Sequence, residues 1–348
     1  MTQPAEPFIE HWAEAPAAPE AAVAALHGVE VACRRLAVPD EPVRTVADAL
    51  GWFRHPPTDE HREFWLAHTG DGAVAAAAWL SVWQSTTGHA EVLVRPESRG
   101  HGLGSALLDR VRTAAAVAGA RTVFGRSADE HDRNWLVRRG WRAGHTDVRQ
   151  VLELTASRFP AADPARGAVP SALTDEVRVA HWTGRAPEHL LASYAMAREA
   201  INDAPGDPAE YESWSPERVR DLERSIAARG REMYVSVLLA GDTGAGFTVA
   251  GDTGAGFTVA GFTELRVSAE PGSVVSTEET AVLRAYRGRG LAVRLKAESL
   301  VRLRSCRPDV RRVATTNEAG NAPMLAVNRR LGFVPVARWT RLRLPLVA

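Results

Sequence analysis

Cysteine, lysine and tyrosine are all scarce in this chain of 348 residues. The two cysteines, Cys33 and Cys306, lie in opposite halves. They make neither a disulfide framework nor a metal-ligand spacing, so no metal is expected, and a reducing cytoplasm suits them. Lys296 is the one lysine; the remaining basic charge is arginine. Net charge is absent too, with 42 basic residues against 42 acidic ones. That balance argues against a dominant nucleic-acid or acidic-membrane partner. No long apolar run exists: residues 73–83 form the most apolar stretch, too short to cross a bilayer. The opening MTQPAEPFIEHWAEAP is acidic and broken by proline, unlike a secretory signal.

What remains is a soluble globular composition, 45% hydrophobic and 24% charged. The length suggests two domains. Residues 155–176 are rich in Pro and Ala and lack apolar periodicity, which marks a linker between an N-terminal domain, 1–154, and a C-terminal domain, 177–348. In the second half a strand at 177–182 precedes two helical stretches, the second opened by Ser215 as N-cap and Pro216 at the first helical position. Strands near 233–239, 258–267 and 277–284 follow, then a helix from Gly290, a strand at 310–315, a short helix at 321–330 and closing strands. The first half repeats this order more loosely: a hairpin over 62–82, a strand at 90–95, a helix at 102–117, a strand at 121–125 and a short helix at 133–139. Residues 1–60 fit no element of the second half. Strands and helices mixed at this spacing predict an α/β fold, a mixed central sheet flanked by helices, twice over.

GDTGAGFTVA occurs twice in succession, over 241–260. The glycines suggest a phosphate cradle, but each copy leads into Phe-Thr-Val, a strand signal, and not into a helix N-terminus. The reading is a hairpin turn with one surplus copy, and an even insertion preserves the in/out alternation of the strand beyond it.

The chemistry lies elsewhere. VRPESRGHGLG (94–104) and LRAYRGRGLA (283–292) each place R-G-x-G-L-[GA] between an apolar strand and an amphipathic helix. Glycine permits the tight turn and close backbone approach. The free N–H groups at the helix start, with the dipole behind them, suit a pyrophosphate.

This loop resembles the acetyl-CoA loop of the GCN5-related N-acetyltransferase (GNAT) superfamily. The second half adds Thr280 and Val282 before the loop and N-x-x-M-L-x-x-N-x-x-L-G-F, from Asn321 to Phe333, after it. In the first half Gly140-Trp141 stands for Gly-Phe and Asp129 for Asn321. The resemblance implies a tandem GNAT protein, each domain with two parallel strands splayed around acetyl-CoA as co-substrate. It assigns the cofactor to Val282, Leu283, Arg284, Arg287, Gly288, Arg289, Gly290, Leu291, Ala292 and Asn321. In the first domain it assigns Arg99, Gly100, His101, Gly102, Leu103 and Gly104.

Amine acetylation needs a neutral amine held near the thioester and a base for its proton. Glu279 and Glu91 each lie eight residues before the loop arginine; Glu279, with its neighbour Glu278, is the candidate base. Four residues before the closing glycine, where the family often has a tyrosine acid, stand Asn328 and Leu136. Asn328 is the candidate partner of the sulfur, and the C-terminal domain is the expected catalytic one. Acidic residues in INDAPGDPAEYESW, Asp203 to Glu212, would suit a cationic acceptor. The expected function is acetyl transfer to a primary amine of a small molecule by direct attack in a ternary complex, in a monomer or homodimer. A mycothiol-synthase-like role, a protein or peptide acceptor, and a non-enzymatic CoA-binding regulatory module stay open.

Overall fold

The computed structural model describes residues 8–83, 86–154, 177–205, 207–241, 257–270 and 274–346. In chain order it contains β1 (Phe8–Trp12), α1 (Glu20–Ala37), α2 (Val46–Arg54), β2 (Glu60–His68), β3 (Val74–Trp83), β4 (Thr87–Val94), α3 (Leu103–Val117), β5 (Thr122–Ser127), α4 (Glu130–Val137) and β6 (Arg142–Glu153). Then follow β7 (Val177–Thr183), α5 (Glu188–Arg198), α6 (Pro216–Ala228), β8 (Arg231–Ala240), β9 (Thr258–Ser268), β10 (Val275–Val282), α7 (Leu291–Cys306), β11 (Arg312–Glu318), α8 (Ala322–Arg330) and β12 (Val334–Pro345). Two compact units emerge: Met1–Asp147 with Val336–Ala348, and Val148–Pro335.

These units differ from the expected halves, 1–154 and 177–348, at two places, and strand pairing is the reason. Most of β12 belongs to unit 1, where Thr340 to Pro345 pair antiparallel with Ser127 to Thr122 of β5. Leu342 and Leu344 there join the core around α3. The end of β6 belongs to unit 2, where Leu152 and Leu154 pack with Leu331 and Phe333. The expected linker, 155–176, lies outside the described residues.

In unit 1 the strands run in the order β1-β2-β3-β4-β5-β12, with β4 and β5 parallel and the other pairs antiparallel. Alternation along β2 and β3 sorts side chains to two faces. Trp65, Ala67, Ala76 and Ala78 meet Leu103, Leu107 and Val111 of α3. Phe64, Leu66 and Ala77 meet Val23, Leu26, Leu50 and Phe53 of α1 and α2. Residues 8–54, which the sequence left without a counterpart, thus supply an edge strand and one helical layer. The hairpin turn after β2 is as expected, closed by Thr69 N–H to Ala73 O at 2.9 Å.

Unit 2 has the order β6-β11-β10-β9-β8-β7, with β10 and β11 parallel. Val235, Val237 and Leu239 face α5 and α6, while Leu238 and Ala240 face Leu291 and Leu295 of α7. Ser215 caps α6 by accepting from Arg218 N–H at 3.2 Å, with Pro216 in the first turn. β8 and β9 pair antiparallel out to Ala240 opposite Thr258. Residues 242–256 of the repeat lie outside the described residues.

Candidate active sites at two splayed strand pairs

In each unit one parallel pair opens into a cleft. β10 and β11 pair only from Val275–Val313 to Thr277–Thr315; β4 and β5 pair only from Thr87–Thr122 to His89–Phe124. Beyond these points the strands part. In unit 2 the opening is a cleft of about 520 Å³. In unit 1 it is about 470 Å³.

The glycine loops form one wall. Gly288 and Gly290 have φ of 76° and 75°, and Gly100 and Gly102 have 84° and 82°. That left-handed backbone favours glycine. Gly290 and Gly102 are the N-caps of α7 and α3, and neither helix start carries a side-chain cap. The first-turn N–H groups therefore have no side-chain acceptor, which is the arrangement an anion needs. The loop arginines brace the turn: Arg287 Nε donates to Val282 O at 2.7 Å, and Arg99 Nε to Val94 O at 3.5 Å. Arg287 also pairs with Asp203 at 2.8 Å, and Arg284 with the same carboxylate at 3.2 Å.

Of the expected cofactor residues, Val282, Arg287, Gly288, Gly290, Leu291, Ala292 and Asn321 line the unit 2 cleft. Asn321 caps α8 by accepting from Met324 N–H at 3.2 Å. Leu283, Arg284 and Arg289 do not line it: Leu283 N–H is engaged by Ala260 O at 2.8 Å, and the carbonyls of Leu283 and Arg284 close the turn onto Tyr286 and Arg287. Arg289 reaches back to Ala285 O. Asp203, assigned from sequence to the acidic acceptor stretch, lines this wall, as does Tyr286, which the sequence left unassigned. In unit 1, Arg99, Gly100, Gly102, Leu103 and Gly104 line the cleft, and His101 turns its ring to Ser98 O at 3.3 Å.

The carboxylates diverge. Glu91 is buried and gripped by two guanidiniums, Arg34 with two bonds of 3.0 Å and Arg126 at 2.8 Å. Burial opposes its charge, but Arg34 and Arg126 prevail and hold the carboxyl at about 2. So acidic a group is a poor base. Cys33, on the same cleft wall, is pushed up to about 11 by burial, which disfavours a nucleophilic thiolate. In unit 2 a shift in strand register falls between Thr277 and Thr280 and brackets Glu278 and Glu279. Glu278 meets Arg266 at 3.4 Å; burial works against it, yet Arg266 and Ser276 keep its carboxyl below the usual range. Glu279, 22% exposed, meets Arg198 at 2.8 Å.

Arg198 is the residue that sequence reasoning missed. Fully buried at the end of α5, it stacks over Trp214 at 3.7 Å and bridges Glu279 to the buried Glu264, which also accepts from Tyr194. Its unit 1 counterpart is Arg34, at the end of α1 and paired to Glu91. Glu212 belongs to the same neighbourhood: burial chiefly, with Arg218 opposing and Glu279 adding, raises its carboxyl above the usual range.

Asn328 requires a correction. Its side chain is fully buried and does not line the cleft. Its oxygen accepts from Lys296 at 2.7 Å, and its nitrogen donates to Gln150 at 2.9 Å and Asn317 at 2.7 Å. With both amide protons engaged, Asn328 has none left for a sulfur atom.

In each unit an uncapped, glycine-turned helix start beside a splayed strand pair fits the cofactor cleft of an acyltransferase. Family models agree: an acetyltransferase (GNAT) domain matches residues 60–142, and the acetyltransferase (GNAT) family matches residues 201–333. The chain belongs to the GNAT superfamily as a tandem two-domain N-acetyltransferase. Its fold is similar to that of a tandem GNAT protein from the clavulanic acid biosynthesis pathway, 23% identical over 97% of this chain and 98% of that one, with a TM-score of 0.74. It is also similar to a GCN5-related N-acetyltransferase from Sphaerobacter thermophilus, 20% identical over 96% and 95%, with a TM-score of 0.67. No curated protein matches the chain.

Proposed function

We propose that unit 2 transfers an acetyl group from acetyl-CoA to a primary amine of a small molecule by direct attack, and that the unit 1 loop also holds CoA. The observation that carries this reading is the contrast between the two equivalent carboxylates. Glu91 is locked between two arginines, whereas Glu279 is partly exposed beside Glu212, whose carboxyl is raised. A carboxylate with a raised value is the better proton acceptor near neutrality. Glu212 and Glu279 would receive a cationic acceptor and take its proton. The α7 N-terminus would hold the pyrophosphate, and the parted edge of β10 would align the pantetheine arm.

The test is mass spectrometry of products after incubation with acetyl-CoA and an amine-rich metabolite extract. A small-molecule acetamide is expected from the wild type and from Gly102→Trp, with loss in Gly290→Trp and a fall of about 100-fold or more in a Glu212→Gln/Glu279→Gln variant. One observation favours a second reading, a CoA-binding regulatory module: the customary acid position holds Asn328, whose protons are engaged internally. CoA binding without any acetylated product, small or protein, would select it.

A further inference from the structure

Unit 2 carries a buried polar cluster where unit 1 has leucines. Counted from the loop glycines Gly290 and Gly102, Lys296 on α7 corresponds to Leu108 on α3. Counted from the helix caps Asn321 and Asp129, Asn328 on α8 corresponds to Leu136 on α4. Both leucines line the unit 1 cleft. Lys296 and Asn328 are 3% and 0% exposed, and Lys296 Nζ donates to Asn328 Oδ1 at 2.7 Å. Val293, one turn before Lys296, and Val327, next to Asn328, line the unit 2 cleft. Asn317, which accepts from Asn328, follows closely on Thr315, the last residue of β11 paired with β10. The cluster therefore lies beside the point where the strands part. Val282 at the loop lies five positions beyond Thr277 along β10, roughly 17 Å of strand, comparable with an extended pantetheine arm. An acyl-CoA with its pyrophosphate on the loop would bring its sulfur to this inner end.

A buried ammonium is costly unless something answers its charge. The groups that face Lys296 are neutral: Asn328, the ring of Phe333 at 5.2 Å and, through Asn328, Gln150 and Asn317. Carboxylates on the neighbouring elements are engaged elsewhere or contribute nothing to its titration. Glu298 on α7 pairs with Arg294, Glu153 on β6 pairs with Arg312, and Glu318 on β11 exerts no pull; α8 adds only Arg329 and Arg330. Burial alone brings Lys296 down to about 7.

The geometry points to Lys296 as a positioning residue for the departing thiolate, its ammonium being the charge that answers the sulfur. This rests on the acetyl-CoA reading above. As the amine nitrogen bonds to the thioester carbon, the C–S bond breaks and its electron pair stays on sulfur. The amine proton leaves through the carboxylate side, and Lys296 keeps its own proton. A fixed positive charge in a poorly polarisable surround favours that build-up of negative charge.

The test needs no acceptor. Free CoA is bound to the full chain in a Gly102→Trp background, which leaves unit 2 as the CoA site, and the ultraviolet absorbance of its thiolate is followed against pH. Lys296→Arg, Lys296→Met and the pair Lys296→Leu/Asn328→Leu are compared. The pair reproduces the leucines that unit 1 already packs, which guards against a variant that fails to fold. In the parent and in Lys296→Arg the bound thiol should titrate about one pH unit or more below free CoA. In Lys296→Met and the leucine pair it should return to the free value. Equal titration in parent and Lys296→Met, with CoA bound to both, overturns the inference while leaving the acetyl-CoA reading intact. A parent that binds no CoA overturns both.

Discussion

Glu91 and Glu279 hold equivalent places, and their surroundings divide them. Glu91 is enclosed with Arg34, which is itself buried and stacked on Trp339 at 4.8 Å. Removing one partner would leave a buried charge unanswered, so Arg34→Met should destabilise unit 1 by about 3–5 kcal/mol, read by chemical denaturation. Acid should act through the same group. Its carboxyl is depressed from 4.5 to about 2 on folding. Its stabilisation is therefore complete above pH 4.5 and disappears as pH falls towards 2. Glu91→Gln should flatten that part of the stability-pH curve. Such a group was legible in sequence as a carboxylate before a loop, but not as a neutralised one. The arginine that neutralises it lies 57 positions away, in the segment that lacked a counterpart in the other half. Lys296 is legible as an inward-facing residue. It shares one helical stripe with Ser299 and Leu303, all buried, and a 3.6-residue period places such a stripe inward.

Among the elements, those that carry the cofactor were the most readable, because strand, glycine turn and helix are dictated locally. The helix from Gly290, the N-cap at Ser215 and the hairpin closed at Thr69 all appear where the pattern placed them. The strand that closes unit 1 was not readable, since pairing of β12 with β5 joins residues far apart in sequence. At the level of one connection, β8 and β9 remain paired up to Ala240 and Thr258, so the doubled decapeptide feeds a strand whose register is already set. Deleting residues 241–250 should leave the circular dichroism spectrum and the melting temperature within a few degrees of wild type, because loop-closure entropy changes slowly with length. Loss of solubility in the deletion would show that the second copy has a structural role.

For the whole molecule, two clefts with two uncapped loop helices predict two CoA molecules per chain by calorimetry, falling to one in Gly102→Trp and in Gly290→Trp alike. A stoichiometry of one in the wild type would assign unit 1 a scaffolding part. The fold also predicts how the chain can be divided. A fragment ending at residue 335 loses Trp339, Leu342 and Leu344 from unit 1. It should keep unit 2 protected from proteolysis while unit 1 is degraded.

That division sets an order of birth. Residues 340–345 are made after β11, yet they pair with β5, whose own residues are made far earlier. During synthesis unit 2 has all its described strands once residue 335 has emerged, while the unit begun earlier waits, one strand short, for residues 340–345. The usual N-terminal-first sequence of domain folding is thereby reversed, and a stalled nascent chain would expose the unpaired edge of β5 to chaperones.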